Sequence, residues 1–68
     1  VEIILNGQAK EIPDPSSLAD LVSSLGLPAH RLAIEHNLKI VKRERWKQQY
    51  LSPGDKVEIV HFVGGGEN

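Results

Sequence analysis

Three consecutive glycines, Gly64, Gly65 and Gly66, follow an apolar run and precede the last two residues, Glu67 and Asn68. Glycine lacks Cβ, so such a run threads a narrow channel and takes backbone angles closed to other residues. A terminal glycine carboxylate is unhindered on both faces, although it is a poor acyl donor until something activates it. A glycine-rich end is also what a plain tail looks like. Competing chemistry is scarce in the rest of the chain. The sequence has no cysteine, which removes disulfides, thiolate metal sites and thiol nucleophiles. His30, His36 and His61 match no metal-ligand spacing. No nucleophile–base pair, phosphate-binding loop or carboxylate pair stands at a recognisable spacing. The expectation is a protein without catalytic residues, metal or bound cofactor, whose chemistry resides in its C-terminal end.

The 68 residues suffice for one domain. Chains of this size bury only roughly 60% of the surface exposed on unfolding, so the core has little to spare. The net charge of −1 gives no general attraction to nucleic acid or to an acidic membrane. Apolar runs are far too short for a membrane span, and no charged-then-apolar leader is visible. A cytoplasmic monomer is therefore expected.

The elements that must position the glycine end read as follows. Val1 to Leu5 is a strand rich in β-branched residues, and Asn6-Gly7 signals a type I′ hairpin turn into a return strand over Gln8 to Ile12. Pro13 and Pro15 stop the ladder. Leu18, Leu21, Val22 and Leu25 form one apolar stripe of a helix of about three turns. Asp14 or Ser16 is placed to cap its start, and Gly26, followed by Pro28, to end it. Leu32 to His36 is a third strand, Asn37-Leu38-Lys39 a turn, Ile40-Val41 a short strand, and Lys42 to Gln49 irregular or a single helical turn. Ser52-Pro53-Gly54-Asp55 is a turn into the last strand, Lys56 to Val63. This order predicts an α+β domain over residues 1–63, a mixed four- to five-stranded sheet with one helix on one face, and a flexible tail over residues 64–68.

The hairpin at Asn6-Gly7, the single helix, Asn37, Ile40-Val41, Arg43, Trp46, Gly54-Asp55 and a last strand running into glycines resemble, in that order, the ThiS family. These are sulfur carriers of thiamin thiazole synthesis, within the ubiquitin-like (β-grasp) superfamily. The resemblance covers nearly the whole chain. It implies that a ThiF-like adenylyltransferase uses ATP and Mg to activate the C-terminal glycine. Sulfur from a donor enzyme then makes a thiocarboxylate, which a ThiG-like thiazole synthase consumes. On this pattern Gly66 is the attachment point, and Gly64 and Gly65 thread the partner's active site. Two departures stand out. Lys42 replaces the proline usual after Ile-Val, and Glu67-Asn68 follow the paired glycines. Either these two residues are trimmed, or they are an engineered or sequencing remnant, or the chain is not a working carrier; the expectation is a precursor trimmed to Gly66. The alternatives are a carrier of the molybdopterin-synthase type, a ubiquitin-like modifier, or an interaction module that has lost its chemistry.

Alternation along the last strand puts Val57 and Ile59 on the helix side, with Glu58, Val60 and Phe62 on the other. Val60 and Phe62, joined by Ile4 from the first strand, form an expected docking patch for the partner enzymes. The basic stretch Lys39 to Lys47, with Trp46 inside it, reads as a solvated face bordered by a core-edge tryptophan. The near-neutral overall charge argues against RNA. The histidines are expected at the surface or edge, with His61 the one to watch because it lies nearest the tail.

Overall fold

The computed structural model describes residues 1–62. Strand β1 (Glu2–Leu5) turns at Asn6-Gly7 into β2 (Gln8–Glu11). Asn6 and Gly7 have φ of 48° and 83°. A type I′ turn requires positive φ at both central positions, and Asn and Gly tolerate it best. Helix α1 (Leu18–Leu25) follows, then β3 (Leu32–His36), β4 (Lys39–Val41) and β5 (Lys56–His61). Short 3₁₀ turns occupy Ala29–Arg31 and Arg43–Arg45.

The five strands form one mixed sheet in the order β2-β1-β5-β3-β4. The first and last strands lie side by side and parallel at its centre, with Ile4 opposite Lys56 and Leu5 opposite Val57. The remaining pairs are antiparallel. The expected mixed sheet and single helix are therefore present, with five strands.

One face of the sheet is closed by α1. Leu18, Leu21 and Val22 pack with Ile3, Ile34 and Val57 from the three central strands, and with Trp46 and Leu51 from the long connection before β5. Fully burying a leucine or isoleucine contributes about 1.5–3 kcal/mol, so these few side chains carry most of the fold. Trp46 is more than an edge cover. It is only 3% exposed, and its Nε1–H donates to the Val41 carbonyl at 2.9 Å.

The start of α1 differs from expectation. Ser17 is the N-cap, ahead of both Asp14 and Ser16. Its hydroxyl accepts from the Asp20 N–H, and the Asp20 carboxylate accepts from the Ser17 N–H. This reciprocal box satisfies two otherwise orphaned donors. Ser16 instead donates to the Pro13 carbonyl. The eight-residue helix is also shorter than expected, because the cap falls immediately before Leu18. Gly26 ends it at φ 69°, as its position predicts.

Candidate functional site

Everything in the fold that bears on the C-terminal end passes through β5. At its start the strand is clamped. The Lys56 N–H donates to Asn37 Oδ1 at 2.9 Å and the Asn37 N–H donates to the Lys56 carbonyl at 2.7 Å. Asn37 has φ 51°, which an Asn adopts at low cost, and that turns its side chain back toward β5. Its Nδ2 also donates to Asp55 Oδ1 at 3.1 Å.

Asp55 is the centre of this clamp. Its Oδ2 accepts from the Ser52 N–H at 2.8 Å and lies 2.7 Å from His36 Nε2. Gln49 Nε2 stands 3.0 Å from His36 Nδ1. An amide donor at Nδ1 leaves the ring proton on Nε2, where it donates to Asp55. Burial alone would raise the Asp55 carboxyl. The His36, Ser52 and Asn37 hydrogen bonds outweigh it and hold the group below its ordinary value of 3.8. His36 is thus a buried, doubly hydrogen-bonded residue, where an edge or surface residue was expected. The period-two pattern Leu32, Ile34, His36 already placed it on the core face. His61, the histidine singled out by sequence, is exposed on β5.

Beyond the clamp, β5 loses its neighbour on one side, because β1 ends at Leu5. Asn6 takes over with its side chain. Its Oδ1 accepts from the Ile59 N–H at 2.7 Å, and its Nδ2 donates to the Ile59 carbonyl at 3.3 Å. A side-chain amide here imitates one more residue of strand. Sequence marks Asn6 only as a turn former, since its second role depends on register.

The far end of β5 carries the expected docking residues. Val60 is 55% exposed and Phe62 53%, both on the face away from α1. On the other face Val57 is fully buried and Ile59 packs against the core, as the alternation predicts. Phe62 does not fold over the domain edge; its N–H donates to the Arg31 carbonyl at 2.8 Å, extending the ladder with the β3 side. Ile4 shares the outer face but does not join them. It lies opposite Lys56, four residues before Val60, or roughly 13 Å down the strand at about 3.3 Å per residue. The neighbours of Val60 come from β3 and β4 instead. Ala33, Glu35, Ile40, Glu58 and Val60 line a depression of about 250 Å³. Ile40, on edge strand β4, is 76% exposed. Val63, the expected last residue of the final strand, lies outside the described residues, as do Gly64, Gly65 and Gly66 with Glu67 and Asn68.

Among the described residues no group of three or more His, Asp or Glu side chains is arranged to hold a metal, and no helix is long and apolar enough to cross a membrane.

A five-stranded mixed sheet with its first and last strands parallel at the centre, one helix across one face and the other face open, defines the chain as a β-grasp domain of the ubiquitin-like kind. The crystal structure of a thiamine biosynthesis protein (ThiS) from Geobacter metallireducens superimposes with a TM-score of 0.83 at 26% identity, covering 97% of this chain and 100% of that one. The ThiS family model matches residues 3–66. The chain belongs to the ThiS family. The sulfur carrier protein ThiS of Bacillus subtilis is 40% identical over 63 residues, 91% of this chain and 96% of that protein. A thiazole synthase of Paramagnetospirillum magneticum is 32% identical over 68 residues, and the match spans 100% of this chain but only 21% of that enzyme.

Proposed function

We propose that this chain is the sulfur carrier of thiazole formation in thiamin biosynthesis, a protein substrate for partner enzymes and not itself a catalyst. The observation that carries the reading is the extent of the family match, which runs through the last strand and both paired glycines and stops at residue 66. Gly66 would then be the reactive residue once Glu67 and Asn68 are removed. A ThiF-like adenylyltransferase would join the Gly66 carboxylate to the α-phosphate of ATP, with Mg on the phosphates and pyrophosphate leaving. A sulfide-level nucleophile from a sulfur donor enzyme then adds to the acyl carbon. AMP departs and a thiocarboxylate remains. Gly64 and Gly65 would let this end pass through a channel too narrow for a side chain.

The consuming enzyme in this reading is a thiazole synthase. The Paramagnetospirillum magneticum enzyme supports that choice, since a region similar to this whole chain accounts for 21% of it. Val60 and Phe62 would dock the carrier on its partners, next to where the tail departs.

The test is the intact mass of the protein isolated from its native cells. A species ending at Gly66 with one oxygen replaced by sulfur is expected. A chain that still ends at Asn68 in cells making thiazole would sink the carrier reading and favour an interaction module without acyl chemistry.

A further inference from the structure

Within the outer-face depression, Glu35 on β3 stands directly opposite Glu58 on β5. Directly opposed residues hold their Cβ atoms about 4.5–5.5 Å apart, and like charges in that position destabilise a sheet. The ion pairs among the described residues are Val1–Glu11 and His36–Asp55, so neither of these carboxylates is ion-paired among them. On one side their neighbours are apolar, with Ile40 on β4 opposite Glu35 and Ala33 opposite Val60 in the next row, and on the other Lys56 shares the face two residues before Glu58. A surface that covers Ile40 and Val60 must also cover the two carboxylates. Desolvating them without a counter-charge costs several kcal/mol per ion.

Resting on the carrier reading above, we propose that Glu35 and Glu58 jointly seat one arginine of the thiazole synthase that docks on this face, with Ile40 and Val60 packed against apolar side chains around it. A guanidinium presents a planar fork of donors that two neighbouring carboxylates accept together, and it is weakly hydrated enough to be buried at an interface. The repulsion tolerated in the free domain is then relieved on binding, which makes the pair a selector for a partner with a central cation. A second copy of this chain is the competing occupant, because Lys39, Lys42 and Arg45 border the adjoining depression beside Ile40. The synthase is favoured because a region similar to the whole chain accounts for 21% of the Paramagnetospirillum magneticum thiazole synthase.

The experiment is titration calorimetry of the full chain against the thiazole synthase of the same organism, at low and high salt, for the unaltered protein and for E35Q/E58Q. Melting and sedimentation of each free chain are measured alongside. The double variant is expected to melt no lower than the unaltered chain, to bind at least tenfold more weakly, and to lose most of the salt dependence. Equal affinity for the two chains overturns the proposal while leaving the carrier reading intact. A lower melting temperature assigns the carboxylates to the fold and overturns it too. Glutamate-dependent dimerisation gives the face to a second copy. Failure of the unaltered chain to bind the synthase removes both the proposal and the partner assignment beneath it.

Discussion

The first residue of β5 and the one just past its end are held in opposite ways. Lys56 enters the strand through a ring of hydrogen bonds among Asn37, Asp55, His36, Ser52 and Gln49, part-buried around His36 and open to water around Asn37 and Ser52. Phe62 leaves it with one described backbone bond, to Arg31, and a side chain half in solvent. The same strand is a fixed post at one end and a projecting arm at the other. Polar clamping suits the fixed end because it sets direction without consuming apolar surface, which a domain of this size has in short supply. The projecting end leaves the apolar side chains of Val60 and Phe62 half exposed.

The sharpest way to break this contrast is at the core that both ends share. Trp46→Ala should destabilise the domain by about 3–5 kcal/mol, through the cavity left and the lost Val41 hydrogen bond. Denaturant titration should find it largely unfolded or close to it. The next largest effect should come from the clamp. Asp55→Asn exchanges charge-assisted hydrogen bonds for weaker ones and should cost about 2 kcal/mol at neutral pH. The sign with pH follows from the lowered Asp55 carboxyl. A group with a depressed folded value contributes its full stability above its unfolded value and loses it as pH falls through the folded one. Unaltered protein should therefore lose stability on acidification below about pH 3.8, and Asp55→Asn should flatten that limb of the stability profile. An unchanged acid limb would show that Asp55 is not the group responsible. The smallest effect on stability belongs to the projecting end. Phe62→Ala should change the unfolding free energy by less than about 0.5 kcal/mol, while weakening partner binding roughly tenfold. A large drop in stability would instead make Phe62 part of the core and erase the difference between the two ends.

The contrast also separates what the sequence discloses from what it hides. Periodicity and turn chemistry act over a few residues, so the Asn6-Gly7 hairpin, the leucine stripe of α1, the Gly26 cap and the faces of Val57 and Val60 were all legible. The helix cap was expected at Asp14 or Ser16 and falls at Ser17, which only its spacing to Asp20 separates from its neighbour Ser16. The clamp was mostly invisible. His36, Gln49 and Asp55 are distant in sequence and meet only when β3 pairs with β5. Ile4 fails for a related reason. Alternation gives a residue its face, but how far along that face it lies depends on the offset between strands, and the parallel β1–β5 offset puts Ile4 beside Lys56. For the same reason Glu35 and Glu58 reveal nothing in sequence about their opposition.

The parallel pairing of the first and last strands has a practical consequence. Both strands run the same way, and Val1 lies three residues before the level of Lys56 while Phe62 lies six residues after it. At about 3.3 Å per residue the two positions are separated by roughly 30 Å along the strand axis. A dye, a surface linker or an affinity handle attached ahead of Val1 would sit at the opposite pole from Phe62. Such a chain could be tethered from behind and still offer its other end to an enzyme in solution.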